Sequence, residues 1–287
     1  MSENSSPWHI AAASICGTSH QRHGVPCQDA HAWEVLPSGA IVVAVADGAG
    51  SAVHSDRGSL IAVKAATEFL RDRADGLLAQ LRHDSAGKAD PDTRDEPIED
   101  ADCNPHATLN PALEASAQTL LDQVLEAISR EAEQENWSIA DLATTLVVVI
   151  ADDRRVIALQ VGDGAAIVND TAEQAIALTV PSNGEYANET TFITSQTARD
   201  TLQISTWSGE LTHLAVMTDG LQRLALSFPE AVPHQPFFRP LFQFVSQTAD
   251  LDLACSKLAH FLTSPRVSDR ADDDLTLFLA YRSCQTD

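Results

Sequence analysis

Ile41-Val42-Val43-Ala44-Val45-Ala46-Asp47-Gly48 is a run of six small and β-branched apolar residues that stops on an aspartate and a glycine. Six residues is strand length, and no polar residue interrupts the run, so both faces of the strand are expected to be covered. The pattern recurs. Ile157-Ala158-Leu159-Gln160-Val161 leads into Gly162-Asp163-Gly164, and Leu214-Ala215-Val216-Met217-Thr218 leads into Asp219-Gly220. Asp272-Asp273-Asp274 stands directly before the apolar run Leu275-Thr276-Leu277-Phe278-Leu279. Three strands therefore end in Asp-Gly, and a fourth begins on a carboxylate triplet.

A lone Asp-Gly reads as a hairpin turn, where glycine accepts positive φ and aspartate bonds its own backbone. Four such sites read differently, because neighbouring strands can carry four or five carboxylates to one sheet rim. Without cations that rim repels itself, and its pKa values rise or stability is lost. Mg²⁺ and Mn²⁺ prefer carboxylate, carbonyl and water oxygens, which suits this set. Glycine beside Asp47 lets a backbone carbonyl come close to a metal. Two ions held this way can keep a water between them, lower its pKa and aim it at phosphorus.

Outward from these sites, the apolar runs Ala40–Ala46, Thr145–Ile150, Val156–Val161, Leu211–Met217 and Leu275–Ala280 read as buried strands. Helical periodicity covers 59–82, 111–133 and about 240–262. Two helices follow the first strand without a strand between them, so mixed α+β layers fit better than a doubly wound parallel sheet. Residues 83–110 hold Pro91, Pro97, Pro105, no aromatic residue and the acidic run from Asp95 to Asp102. That stretch reads as a flexible acidic insertion in a single domain spanning 1–287, with a docking tail for a basic partner as the alternative.

The 287 residues carry 18 Lys+Arg against 41 Asp+Glu, a net charge of −23. This argues against nucleic acid and against anionic membrane surfaces, which need clustered basic residues. No apolar run approaches a membrane span, and the first residues lack a signal-peptide pattern. The five cysteines are scattered without a C-x-x-C pair, so a reducing, cytoplasmic setting is expected. A monomer is the default.

Gly24-Val25-Pro26-Cys27-Gln28-Asp29-Ala30 and Val45-Ala46-Asp47-Gly48-Ala49-Gly50-Ser51 resemble the opening motifs of protein phosphatase 2C, the metal-dependent Ser/Thr phosphatases, in a bacterial branch. Ala143-Thr144-Thr145-Leu146 and Gln160-Val161-Gly162-Asp163-Gly164 resemble its central pair. Met217-Thr218-Asp219-Gly220-Leu221 and Asp273-Asp274-Leu275-Thr276 resemble its last two. The Pro181 to Phe192 stretch looks like its variable flap. The resemblance implies a four-layer α-β-β-α sandwich with two central, mostly antiparallel sheets flanked by helix pairs. It implies two Mn²⁺ or Mg²⁺ ions and a looser third. Asp47 would bridge two ions and Gly48 would offer its carbonyl; Asp219 and Asp273 would complete the second ion's ligands. Asp29 would act through water, and Asp163 with Asp219 would match the third site. The substrate would be a phosphorylated protein made by a Ser/Thr kinase.

The sequence departs from the family pattern at several points. The family's phosphate-binding arginine falls at Gly24, leaving Arg22, His20 and His23 in the same loop as candidates. Ala49 stands where some members carry a histidine, so water in the metal shell must protonate the leaving oxygen. Gln28 replaces a glutamate, Asp274 replaces an asparagine, and no Ser-Arg follows Asp163. These losses motivate an alternative, a catalytically silent phosphoprotein-binding module of the same fold. Ser51 and Thr218 are expected to donate hydrogen bonds beside the metal aspartates. Cys27 reads as a small buried thiol, and His213 as facing outward from its strand.

Overall fold

In the computed structural model, residues 7–86, 110–181 and 190–283 are described. In chain order they form β1 (Trp8–Ile15), α1 (Thr18–His23), β2 (Ala30–Val35), β3 (Ile41–Ala46), α2 (Ser55–Arg71), α3 (Ala74–Ala86) and α4 (Pro111–Glu135). Then come β4 (Leu146–Ala151), β5 (Arg155–Val161), β6 (Ala165–Asn169), β7 (Ala175–Ala177), β8 (Gln203–Ser208), β9 (His213–Met217) and α5 (Gln222–Ala225). The chain finishes with β10 (Leu226–Ser227), β11 (Val232–Pro233), α6 (Gln235–Gln247), α7 (Leu251–Leu262), α8 (Pro265–Ser268) and β12 (Leu275–Arg282).

Two five-stranded antiparallel sheets result, in the orders β2-β3-β4-β5-β8 and β1-β12-β9-β6-β7. The alternation of side chains along β3 shows why they stack. Ile41, Val43 and Val45 enter a core shared with Ile10, Val216 and Phe278 of the other sheet. Val42, Ala44 and Ala46 face the opposite way, against Val63 and Leu70 of α2 and Val124 and Ile128 of α4. On the far side, Ala215, Leu277 and Leu279 meet Phe238 and Phe242 of α6 and Leu258 of α7. The order is helix pair, sheet, sheet, helix pair, and the α+β sandwich expected from the sequence is the fold observed.

Several boundaries differ from the periodicity. The span 59–82 is two helices: α2 begins at Ser55 and gives way around Asp72, after which α3 crosses β4 and β5. The buried Arg155 guanidinium holds that crossing, bonding the Leu78 carbonyl and the Asp152 carboxylate. The span 240–262 is also two helices, with the break at Thr248-Ala249-Asp250, where the Asp250 side chain accepts from Leu253 N–H and starts α7. Pro240 lies inside α6 rather than at its start. The Ala-rich β1 and the short β2, β6, β7 and β8 were not marked by apolar runs. At the edges of the expected insertion, α3 extends to Ala86 and the Asn110 side chain caps α4; residues 87–109 lie outside the described residues.

His213 does not face solvent. It shares its side of β9 with Ala215 and Met217, so it points at the helices; its ring stacks 4.8 Å from Phe242 and 5.0 Å from Tyr281. Burial pulls its pKa down to about 4.

Phe278 is fully buried between the sheets, 6.4 Å from Trp33. Phe278→Ala should therefore cost about 3–5 kcal/mol, measured as a shift in the urea midpoint with an unchanged slope.

Candidate active site

All the singled-out aspartates emerge at one end of the two sheets. Asp29 precedes β2, Asp47 follows β3, and Asp163 sits where the chain leaves β5 of one sheet for β6 of the other. Asp219 opens a 3-10 turn after β9, and Asp273 and Asp274 precede β12. None of the three Asp-Gly pairs makes a hairpin turn. Asp47, Asp163 and Asp219 each present a carboxylate oxygen within 4.8 Å of the other two.

The surrounding bonds fix this arrangement. Asp47 N–H donates to Thr145 Oγ1 at 3.0 Å, and the Asp47 carbonyl accepts from Thr144 Oγ1 at 2.8 Å and Thr145 N–H at 2.8 Å. Thr218 Oγ1 donates to Asp29 Oδ2 at 2.7 Å and accepts from Thr276 N–H at 3.0 Å, as its place beside Asp219 led one to expect. Thr190 Oγ1 donates to Asp163 Oδ2 at 2.7 Å. At Gly48 a Cβ would stand 2.6 Å from the Ser55 carbonyl oxygen and 2.8 Å from that of Gln28, so only glycine fits.

The expected residues divide. Asp47, Asp163 and Asp219 come together, and Asp29 lies close enough to raise the pKa of Asp47. Asp273 is exposed at the rim, its Oδ1 accepting from Asp274 N–H at 2.8 Å. Its charge nevertheless reaches Asp47, Asp163 and Asp219. Ser51 is exposed and makes no hydrogen bond among the described residues, so the donor role expected for it is not observed. Cys27 is partly buried, with Sγ donating to the Asp29 carbonyl and its thiol pKa pushed up by burial.

Sequence reasoning missed the job of Asp274. Its carboxylate is buried and accepts from Gly17 N–H and Gln28 N–H, each at 2.6 Å. It ties the loop before α1 and the loop before β2 to the start of β12. His20 Nδ1 also stands 3.0 Å from Asp274 Oδ1, off the line of a hydrogen bond. Nothing in an Asp-Asp-Asp triplet tells which member turns inward.

α1 is docked on the same rim by Ser19 N–H bonding the Asp272 carbonyl at 2.9 Å. His23 Nδ1 lies 2.8 Å from the Ser19 carbonyl oxygen, and His20 faces Asp274. Arg22 is exposed, and its guanidinium has no partner among the described residues. The flap residues 182–189 lie outside the described residues.

Electrostatically the trio is unfavourable as bare protein. Burial, then the neighbouring carboxylates, lifts Asp47 well above the usual carboxylate range and raises Asp163. Burial leads the causes for Asp29 and Asp219, which rise to about 7. Among the described residues, the buried oxygens Asp29 Oδ1 and Asp163 Oδ1 accept no hydrogen bond, and the Gly48 carbonyl accepts none. A donor set of carboxylates and a free carbonyl, with orphan buried oxygens, fits hard divalent cations.

Because the folded pKa values of Asp29 and Asp219 exceed the unfolded value, the metal-free folded state binds more protons between about pH 4 and 7. Its stability should fall as pH rises through 7 and be fully recovered below about 4, where both states are protonated. In EDTA, lowering pH from 8 to 5.5 should raise Tm by roughly 3–6 °C, the shift expected of about 1–2 kcal/mol. Asp219→Asn should flatten that slope, and Mn²⁺ should remove it; calorimetry across pH reads both.

Comparisons with known proteins agree with this geometry. The protein phosphatase 2C family model matches residues 16–263. Serine/threonine-protein phosphatase 3 of Escherichia coli (strain K12) is 34% identical over 279 residues, covering 95% of this chain and 98% of that protein. Among solved structures, the Staphylococcus aureus serine/threonine phosphatase Stp1 aligns with a TM-score of 0.56 at 13% identity, over 96% of this chain and 95% of its own. The S. agalactiae serine/threonine phosphatase aligns at 0.52 and 17% identity, over 96% of this chain and 100% of its own. A family match over most of the chain, on a fold that gathers these aspartates at one rim, means that the chain belongs to the protein phosphatase 2C family.

Proposed function

We propose that this protein is a metal-dependent phosphatase that hydrolyses phosphoserine and phosphothreonine in proteins phosphorylated by a Ser/Thr kinase, with residues 1–287 forming one catalytic domain. The observation that carries the reading is the trio Asp47, Asp163 and Asp219, with oxygens within 4.8 Å of one another and orphan buried acceptors beside them. Family membership and the name of the curated relative support the substrate class.

In this reading Asp47 would be shared by two ions, one of which would also take the Gly48 carbonyl. Asp219 and Asp273 would hold the other, Asp29 would act through water, and Asp163 with Asp219 would hold a third, looser ion. Bound Mn²⁺ or Mg²⁺ supplies an acidified water and neutralises phosphate charge. The protein's own part is to hold these oxygens in fixed positions before substrate arrives, so that little reorganisation remains for the reaction. Thr144, Thr145 and Thr218 do this through the bonds described above. Arg22, whose guanidinium has no partner among the described residues, is in this reading the residue that meets the phosphate, in a fork geometry that matches its oxygens. Ala49 has no proton to give, so the leaving serine or threonine oxygen takes its proton from water in the cleft.

Purified protein should hydrolyse p-nitrophenyl phosphate and a phosphothreonine peptide with Mn²⁺ or Mg²⁺ and not with EDTA. Asp47→Asn and Asp219→Asn should abolish turnover; unchanged activity in either would overturn the reading. Metal binding by calorimetry without any turnover would instead favour the silent phosphoprotein-binding module.

Arg22→Ala should lower kcat/KM for the phosphopeptide about 10- to 100-fold, the loss of one charge-assisted contact of about 1.5–3 kcal/mol. An unchanged kcat/KM would remove Arg22 from the site.

A further inference from the structure

Away from the aspartates, the described residues hold one strongly basic hollow. Arg223 of α5, Arg266 of α8 and Arg270 just after it line a cavity of about 480 Å³, together with His234, Phe237 and Phe261. No acidic residue lines it among the described residues. None of the three arginines has a hydrogen bond or ion pair from its side chain among the described residues.

In a chain with 41 acidic residues to 18 basic ones, five arginines elsewhere bond carboxylates, Arg57 with Glu131, Arg71 with Glu34, Arg154 with Glu210, Arg155 with Asp152 and Arg199 with Asp122, whereas the three around the hollow leave their forks free for a ligand. Three guanidinium groups around one hollow repel each other unless an anion joins them. Guanidinium forks suit carboxylate and phosphate oxygens alike. The half-buried Phe237 and Phe261 add an apolar wall. Beside it, the β10–β11 hairpin carries Phe228 and Val232, 49% and 54% exposed. The hollow therefore presents the chemistry that would hold a short acidic peptide segment carrying some apolar character.

Its position gives it a use. Arg223 follows Asp219 by four residues and Arg270 precedes Asp273 by three, so their Cα atoms lie within about 14 Å and 11 Å of those aspartates. An extended peptide advances about 3.3 Å per residue, so roughly three to six residues separate a side chain at the aspartates from one in the hollow. We infer that this hollow is a specificity site which binds an anionic segment of the substrate, three to six residues from the phosphoserine or phosphothreonine. The inference rests on the phosphatase reading and adds to it a preference in substrate sequence.

The test uses phosphothreonine peptides with neutral flanks, with a Glu-Glu-Glu cluster three to six residues away on either side, or with a phosphoserine in that place. The native protein is compared with Arg266→Glu and with the double variant Arg266→Glu/Arg270→Glu. Each variant's rates are divided by its own turnover of p-nitrophenyl phosphate, which has no flanking peptide. An acidic flank should lower KM about tenfold with little change in kcat, and ~0.5 M NaCl should erase most of that gain. Charge reversal should abolish the preference or invert it in favour of neutral peptides. The Glu and phosphoserine arms show which anion the hollow takes. Equal KM for acidic and neutral peptides on the native protein overturns the inference, as does a preference that survives the double variant. If the protein turns over no phosphate at all, the phosphatase reading fails separately. Fluorescence anisotropy of a labelled, unphosphorylated Glu-rich peptide then decides, since binding that Arg266→Glu does not weaken excludes the hollow.

Discussion

Crowding of negative charge at one end of the sandwich is the constraint that the rest of the molecule answers. Three carboxylates within 4.8 Å of one another, with Asp29 beside them, would push apart if their backbones were free to move. They stay because each is attached to a strand whose both faces are buried. β3, β4 and β5 are buried along their whole length, and sliding one of them would expose a full row of Val and Ile side chains. The hydrophobic cores of the fold thus supply the force that holds an electrostatically unfavourable rim in place, and bound cations would convert that rim from a cost into a binding site.

Rigid strands fix only the strand ends, and the loops between them need their own ties. Asp274 provides one of the strongest. Two backbone N–H groups at 2.6 Å from a buried carboxylate join Gly17, Gln28 and the start of β12 into one unit. Gln28 then passes the restraint on, since its carbonyl accepts Gly48 N–H at 3.1 Å. The carbonyl of Gly48 is positioned through that chain of bonds, so a residue that touches no metal in the proposed site still governs one of its donors. A buried acceptor of two N–H groups is costly to remove, because both donors would be left unpaired.

Much of this was legible in the sequence, for a physical reason. Doubly buried strands read as uninterrupted apolar runs, and the carboxylates that break those runs form the candidate site. The strands carrying Asp47, Asp163, Asp219 and Asp273 were accordingly the ones identified. Strands with one face against small-residue packing were not, and the Ala-rich β1 is the example. Helix breaks at Asp72 and Thr248 were also hidden, because the apolar stripe continues past each while the chain changes direction to follow the sheet. His213 was misread because a polar residue at a strand edge was assigned to solvent; its parity with Ala215 and Met217 already placed it toward α6. The distinct fates of Asp273 and Asp274 depend on which side of one backbone bond faces Gly17, and no one-dimensional pattern encodes that.

Charge on the whole molecule bears on how a phosphoprotein would be received. A body with net charge −23 repels phosphorylated and acidic segments over roughly one Debye length, about 8 Å at physiological salt. Approach to the rim is then favourable only where that field is locally reversed, by cations among the aspartates and by arginines that lack acidic partners. Among the described residues, Arg22 on α1 and the trio Arg223, Arg266 and Arg270 are such places, the first before Asp29 and the others between Asp219 and Asp273 in the sequence. Repulsion elsewhere makes each attractive patch more selective than it would be on a neutral surface, because a peptide with its anions in the wrong register meets the acidic body instead. An acidic protein that acts on anions is therefore coherent: the overall charge excludes, and a few unpaired guanidinium groups admit.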